Sequence, residues 1–152
     1  MKLIVILCDG SSKGNPGPAS IGVIIWARYK NSNQNIIRPT EIIHEEVGVR
    51  TNSEAEWLSL LKGMDWTAHN NPDSEEVYIY SDSQLVVNQA NKTWKVKHDN
   101  MIPLYARFQS YIEFYVKQFK RLRIYWVPRQ LVYLADKAAK EVGQNEREKR
   151  EN

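Results

Sequence analysis

The chain has 152 residues, a length typical of one compact domain. Hydrophobic residues make up 42% and charged residues 26% of the sequence, with 7 Gly and 6 Pro, which excludes a disordered or collagen-like chain. The formal net charge of +3 is too small by itself to indicate a nucleic-acid-binding protein. The single cysteine, Cys8, excludes a disulfide framework and a cysteine-rich zinc site, and it favours a reducing compartment.

The first apolar segment runs from Leu3 to Cys8 and ends at Asp9. It is too short to span a bilayer, and it is shorter than the apolar region of most signal peptides. We therefore expect a cytoplasmic protein without a membrane segment, in which the N-terminal residues form part of the fold.

The N-terminal third has the pattern of three β-strands. Leu3–Cys8 is rich in β-branched residues and predicts a central strand that is covered on both faces. The turn-forming residues of Gly10–Pro18 and the apolar run Ile21–Trp26 then predict a hairpin with a long glycine-rich loop. A third strand is expected between Ile36 and Val49, where Pro39 favours an edge position.

The rest of the chain alternates between helical and strand patterns. Apolar residues at three- and four-residue spacing predict a helix from Ser53 to about His69. The later predicted elements are a strand at Val77–Tyr80, a short helix at Ser83–Asn91, a longer helix from Asn100, a strand at Leu122–Val127 and a final helix at Tyr133–Val142. This order predicts an α/β domain over residues 1–145, with a five-stranded mixed sheet flanked by helices. The charged tail of residues 146–152 is expected to fray.

Two aspartates follow predicted strands. Asp9 ends the central strand, and Asp82 follows the fourth strand. If these strands are neighbours, the two carboxylates come close together and both stay ionised only beside a cation. Hard oxygen ligands favour Mg²⁺ or Mn²⁺, and the lack of nearby histidine and cysteine disfavours zinc.

Each candidate acid also has a purely structural interpretation. Asp9 could start a turn, and Asp82 could cap the helix that begins at Ser83. Glu56 fits a capping box with Ser53, and Glu54 fits a second register of the same motif with Thr51. An acid near the start of the last helix, such as Asp136, would favour the helix dipole without any catalytic role.

Four blocks of sequence occur together in an order that resembles type 1 ribonuclease H. These blocks are Asp9-Gly10-Ser11 with Gly14–Pro18, Thr51-Asn52-Ser53 with Ala55-Glu56, Ser81–Val86, and Trp126–Arg129 with Ala135-Asp136. The resemblance runs almost end to end. It implies a ribonuclease H-like fold and an endonuclease that hydrolyses the RNA strand of RNA/DNA hybrids, leaving 5′-phosphate and 3′-hydroxyl ends.

The resemblance implies that four carboxylates bind two Mg²⁺ or Mn²⁺ ions, and these are Asp9, Glu56, Asp82 and Asp136. The family's glutamate falls five residues after the threonine of its Thr-Asn pair, which selects Glu56 rather than Glu54. A two-metal site needs several carboxylates to offset its charge, to activate a water and to stabilise the leaving oxygen.

The resemblance also implies contacts with the hybrid. Asn15, Asn52 and Gln84 would contact its minor groove, where amide groups can read base edges and 2′-hydroxyls, and Thr51 would hold a phosphate of the DNA strand. Taken singly, each of these residues also fits turn or capping chemistry.

Charge is distributed unevenly along the chain. The segment Lys92–Arg123 holds eight Lys or Arg against two acids. Within it, Lys92, Trp94, Lys95 and Lys97 mix cations with an aromatic ring and are expected to track phosphates. Lys117 and Lys120 are assigned instead to a solvated helix face.

The chain departs from the family pattern before Asp136. Many members of the family have a histidine in the loop before this aspartate, whereas no histidine of this chain lies near that loop. Arg129 could bind a phosphate there, but it cannot act as a base at neutral pH. The apolar stretch Gln130–Leu134 is interpreted either functionally, as an altered loop or a partner-binding patch, or as ordinary packing of a helix start.

Because the first strand begins near Met1, we expect a free-standing monomer without a separate hybrid-binding domain. An alternative is a non-catalytic hybrid-binding module with the same fold, although retention of all four acids disfavours it. A phosphate-binding domain is disfavoured because Gly10–Pro18 lacks the required glycine spacing and precedes a strand.

Overall fold

The computed structural model describes residues 2–29, 38–118 and 121–133. The elements in chain order are β1 (Lys2–Ser12), β2 (Gly17–Tyr29), β3 (Glu41–Arg50), α1 (Asn52–Asn70), β4 (Glu76–Ser81), α2 (Gln84–Ala90), α3 (Ile102–Gln118) and β5 (Arg121–Trp126). Residues 129–133 are helical again. The order of elements agrees with the sequence prediction.

The five strands form one mixed sheet with the order β3-β2-β1-β4-β5. β1 pairs antiparallel with β2 and parallel with β4, and β5 adds to β4 in parallel. The predicted mixed sheet with the first strand at its centre is therefore confirmed.

The core lies between one face of the sheet and the helices. Ile4, Ile6 and Cys8 alternate along β1 and are buried, as expected for one face of a strand. They face the apolar stripe of α1, in which Trp57 is fully buried and makes edge-to-face contacts with Phe108 of α3. The covered face of the sheet thus holds the start of α1 against the end of β1, where the candidate site lies.

The bounds of several elements differ from the prediction. β2 extends well beyond Ile21–Trp26 because β1 offers hydrogen-bonding partners from Lys2, opposite Tyr29, to Ser12, opposite Ala19. The third strand starts at Glu41 and forms the edge of the sheet, as Pro39 indicated.

The last helix starts earlier than the predicted Tyr133. Helical backbone begins at Arg129, and the N–H of Leu131 donates to the carbonyl of Pro128 at 3.1 Å. The apolar stretch is therefore helical in its described part, with Val132 buried and Leu131 and Tyr133 exposed. The remainder of the predicted helix and the tail of residues 146–152 lie outside the described residues.

Among the ranges given above, no helix combines the length and the apolar character that crossing a membrane requires.

Candidate active site

The candidate site lies where β1 and β4 stop pairing. Their parallel ladder ends with Cys8 opposite Ser81, so Asp9 and Asp82 each follow one member of the same matched pair. Carboxyl ends of neighbouring parallel strands meet at one edge of a sheet, where open α/β sheets form their ligand crevices. The sheet order therefore brings the two aspartates together, as expected from the sequence.

Gly10 brings the start of α1 against the end of β1. A Cβ atom on this residue would lie 2.2 Å from the carbonyl oxygen of Ala55 and 2.7 Å from the amide nitrogen of Glu56. Only glycine allows this approach, because a methyl group would overlap the backbone of the helix. The contact places Glu56 beside the strand that carries Asp9.

The capping box of α1 uses Glu54 and not Glu56. The Thr51 Oγ1 accepts a hydrogen bond from the Glu54 N–H at 3.1 Å, and the Thr51 N–H donates to the Glu54 carboxylate at 3.0 Å. Burial acts to raise the pKa of Glu54, but hydrogen bonds from Thr51 and Asn100 and the charge of Arg50 outweigh it, so the pKa is lowered. The Ser53–Glu56 register is thereby excluded.

Asp82 does not cap α2. The N-cap is Ser83, whose hydroxyl accepts from the Val86 N–H at 3.2 Å. The interpretation of Asp82 as a capping residue is therefore wrong. Asp9 does not start a turn either, since β1 continues through it and pairs it with Gly22.

The carboxyl group of Glu56 responds to both aspartates. Burial raises the pKa of Glu56, and the negative charges of Asp82 and Asp9 raise it further. A hydrogen bond from the Ser83 hydroxyl and the positive charge of Arg129 act in the opposite direction. Asp82 and Asp9 thus lie close enough to Glu56 to affect its ionisation, and a divalent cation would stabilise the three carboxylates together.

Cys8 lies beneath these acids but is chemically inert. The pKa of its thiol is raised to about 12, chiefly by burial, and the charges of Asp9, Asp82 and Glu56 contribute to the rise. The thiol stays protonated at neutral pH, so it is neither a nucleophile nor a metal ligand.

One carboxylate oxygen of Asp82 is buried without a donor. Within residues 2–29, 38–118 and 121–133, Asp82 Oδ1 accepts no hydrogen bond. Its main chain is held on both sides, because the Trp126 indole N–H donates to the Asp82 carbonyl at 3.1 Å and the Ser83 N–H donates to Ser81 Oγ at 3.1 Å. A buried, unsatisfied carboxylate oxygen is costly unless a cation binds it.

The donor chemistry of Asp9, Glu56 and Asp82 fits a hard divalent cation such as Mg²⁺ or Mn²⁺. With the side chains in the conformations of this structure, no group of three His, Cys, Asp or Glu within the described ranges is arranged to hold a metal ion. The fourth predicted acid, Asp136, lies outside the described residues. The described carboxylates therefore supply suitable ligands but do not by themselves form a closed coordination shell.

The glycine-rich loop is hydrogen-bonded to the start of α1. The Asn52 Oδ1 accepts from the Ser12 N–H at 2.9 Å and from the Ser12 hydroxyl at 2.8 Å, while the Asn52 N–H donates to Asn15 Oδ1 at 3.1 Å. Both asparagines are exposed, and each of these bonds uses the amide oxygen as an acceptor. The Thr51 hydroxyl oxygen is likewise an acceptor, in the cap of α1.

The other predicted substrate contacts are made by exposed side chains. Gln84 is exposed at the first position of α2, directly after the Asp82 loop. Trp94, Lys95 and Lys97 are exposed in the segment that follows this helix. Arg129 is exposed at the start of the last described helix, and its charge reaches Glu56.

Sequence reasoning missed three residues that shape the site: Gly10, Ser83 and Trp126. The role of Ser83 as the N-cap of α2 could have been predicted, because Ser83 directly follows Asp82 and serine and aspartate are about equally good N-cap residues. The close approach at Gly10 and the indole bond from Trp126 depend on packing between distant segments, for which the sequence carries no local signal.

A model of the RNase H family matches residues 1–129, and the chain belongs to this family. The bifunctional protein Rv2228c of Mycobacterium tuberculosis is 34% identical over 136 residues, which cover 90% of this chain and 34% of that protein. The chain thus spans about a third of the length of this relative.

Solved structures of the family share the fold. The N-terminal RNase H domain of M. tuberculosis Rv2228c, fused to maltose binding protein, has a TM-score of 0.72 and 33% identity, covering 91% of this chain and 97% of that one. LC11-RNase H1 in complex with an RNA/DNA hybrid has a TM-score of 0.68 and 28% identity, covering 91% of this chain and 94% of that one.

Proposed function

We propose that the protein is an endonuclease that hydrolyses the RNA strand of RNA/DNA hybrids and that it depends on Mg²⁺ or Mn²⁺. The observation that carries the proposal is the buried oxygen of Asp82, which lacks a donor in the described part of the chain and lies beside Glu56, whose pKa is raised by burial, Asp82 and Asp9. Such an arrangement is costly in a purely structural role and favourable around a divalent cation. The hybrid complex of LC11-RNase H1 supports the choice of substrate.

Asp9, Glu56 and Asp82 would hold the metal, and Asp136 completes the proposed set of ligands. Two divalent cations, when bound, supply activation of the attacking water and stabilisation of the leaving 3′ oxygen, which gives 5′-phosphate and 3′-hydroxyl products. The fixed main chain on both sides of Asp82 keeps its carboxylate in place without reorganisation during the reaction.

The substrate residues would position the hybrid over these acids. Asn15, Asn52 and Gln84 offer exposed amides to the wide minor groove of an A-like duplex, and Thr51 offers a hydroxyl to a DNA phosphate. Trp94, Lys95, Lys97 and Arg129 add aromatic and cationic contacts along the backbone. None of these contacts requires a particular base sequence, so cleavage is expected at many positions.

An end-labelled RNA/DNA hybrid incubated with Mg²⁺, with Mn²⁺ or with EDTA tests the proposal. We expect loss of full-length RNA with intact DNA only in the presence of metal, and 3′ ends that a polymerase can extend. The Asp9→Asn variant should fold and lose cleavage by about 100-fold or more. Hybrid binding without cleavage by the parent protein would favour the non-catalytic module, and cleavage by Asp9→Asn at the parental rate would exclude this site.

A further inference from the structure

Three tyrosines lie side by side on the face of the sheet that α1 does not cover. β4 alternates between buried aliphatic residues, which face the core, and Tyr78 and Tyr80, which therefore face the opposite side. On β5, Tyr125 lies opposite Tyr80 in the strand register. The Tyr125 ring is stacked with that of Tyr78, with 6.3 Å between centroids and 15° between planes, and it lies 5.6 Å from the ring of Tyr80. We call these three rings the tyrosine platform.

The tyrosine platform is accessible and held in place. Tyr125 is 43% exposed, while Tyr78 and Tyr80 are partly buried. The Tyr78 hydroxyl donates to the Glu76 carboxylate at 2.9 Å and accepts a hydrogen bond from the Arg121 guanidinium. Rings that are fixed before a ligand arrives lose little conformational entropy on binding. The platform therefore offers a flat aromatic surface that needs no rearrangement.

Positive charge borders the tyrosine platform. Arg121 and Arg123 are exposed on β5 and alternate in step with Tyr125, so they lie on the same face of the sheet. Arg123 lies opposite Tyr78 in the strand register. The acid of β4, Glu76, lies opposite Arg121. Stacked rings beside an excess of cations match the chemistry of single-stranded nucleic acid, whose bases stack on aromatic rings while its phosphates bind arginine.

The tyrosine platform adjoins the candidate site without belonging to it. Tyr80 precedes Asp82 by two residues, about 7 Å along the strand. Trp126, which follows Tyr125, donates its indole N–H to the Asp82 carbonyl. The three rings nevertheless face away from α1, whose N-cap is Thr51. A duplex held at the start of α1 and a single strand held by the platform would therefore contact different faces of the sheet.

We propose that the tyrosine platform binds single-stranded nucleic acid by stacking bases on its rings, with Arg123 contacting the backbone. The inference goes beyond the proposed function, because its ligand is an unpaired strand and not the hybrid. Every base has a flat aromatic face, so binding is expected to tolerate any sequence. Aromatic cross-strand pairs also stabilise sheets, so binding and stability must be measured separately.

Fluorescence anisotropy of labelled single strands of about 12 nucleotides tests the proposal, in EDTA and at several salt concentrations. DNA and RNA are compared with an abasic DNA strand that keeps only the backbone. The parent should bind both base-containing strands at least ten-fold more tightly than the abasic strand. Tyr125→Ala and Tyr125→Val should each weaken this binding about ten-fold, whereas Tyr125→Phe should preserve it. Arg123→Gln should reduce the slope of log K against log salt by about 0.7.

Tyr29→Ala is the matched control. Tyr29 is also an exposed tyrosine of the sheet, but it pairs with Lys2, at the end of β1 opposite to Asp9. Its replacement should leave single-strand binding unchanged. Tyr125→Val keeps a residue that favours strands, so its urea midpoint shows whether a loss of binding merely follows a loss of stability.

Parental affinity of Tyr125→Val for the base-containing strands would overturn the proposal, and so would equal affinity of the parent for the abasic strand. Tyr125→Ala should leave the affinity for a blunt RNA/DNA hybrid unchanged, and an equal loss there would assign the rings to the hybrid site instead. Sedimentation velocity should show no dimer that Tyr125→Ala abolishes, since such a dimer would mean that this face pairs two copies of the chain. Absence of hybrid cleavage would remove the proposed function but not single-strand binding.

Discussion

Glu54 and Glu56 lie two residues apart on α1 and have opposite electrostatic surroundings. A separation of two residues turns side chains by roughly 200° around a helix, so one glutamate reaches the N-cap while the other faces the strands. Hydrogen bonds from Thr51 and Asn100 outweigh burial and lower the pKa of Glu54. Burial and the charges of Asp82 and Asp9 raise the pKa of Glu56. The helix geometry thus separates a structural acid from a candidate metal ligand.

Replacing Glu56 by Gln should abolish cleavage while preserving the fold. We expect cleavage of the hybrid to fall by about 100-fold or more, because one proposed ligand loses its charge. The free energy of unfolding in EDTA should be unchanged or raised, since the repulsion from Asp82 and Asp9 is removed. Cleavage rates and urea denaturation measure the two effects.

Glu54→Gln is the control for this variant. Glutamine can replace glutamate in the capping box, so both stability and cleavage should stay near parental values. Equal loss of cleavage in the two variants would contradict the assignment of Glu56.

At the scale of elements, the site depends on how closely β1 approaches α1. The contact at Gly10 involves backbone atoms of Ala55 and Glu56, which have no rotamers to relieve an overlap. A side chain at this position would therefore move the helix away from the strand, and Glu56 away from Asp9.

Gly10→Ala should impair both stability and activity. We expect it to lower the free energy of unfolding by about 2–4 kcal/mol, since overpacking against backbone is costly, and to reduce hybrid cleavage strongly. Gly48→Ala is the matched control: Gly48 has φ +80°, but a Cβ atom added to it would meet no atom within 4 Å. It should cost only about 1 kcal/mol and leave cleavage intact. Similar activity in both variants would show that the close approach is not needed.

The pattern of elements could be predicted, but several bounds could not. The apolar run of β1 and the helical spacing in α1 are local signals, and both elements formed where expected. Gly17 and Pro18 have turn chemistry, yet they join β2 because β3 supplies partners at Arg50 and Val49. The helical start at Arg129 was also missed.

At the scale of the whole molecule, acids and bases are segregated. The candidate site gathers carboxylates from β1, α1 and the loop after β4, whereas Lys92–Arg123 has a net charge of 8 − 2 = +6, which leaves 3 − 6 = −3 for the rest of the chain. The meeting of Asp9 and Asp82 was predictable from the strand order, but the position of Glu56 depended on a resemblance, because no local pattern reveals the approach at Gly10. Segregated charge of this kind suits a polyanionic duplex that bridges a metal site and a basic surface.

Binding of a cation by the gathered acids should stabilise the whole fold. A ligand that binds only the native state at ten times its Kd adds about 1.4 kcal/mol, which for a domain of this size raises the thermal midpoint by about 4 °C. We expect Mg²⁺ to produce such a rise in the parent protein at constant ionic strength, but not in Asp9→Asn or Glu56→Gln. Lys117→Gln should respond like the parent, because its charge lies on the exposed face of α3. An equal rise in the parent and the acid variants would locate the cation elsewhere and remove the support for the candidate site.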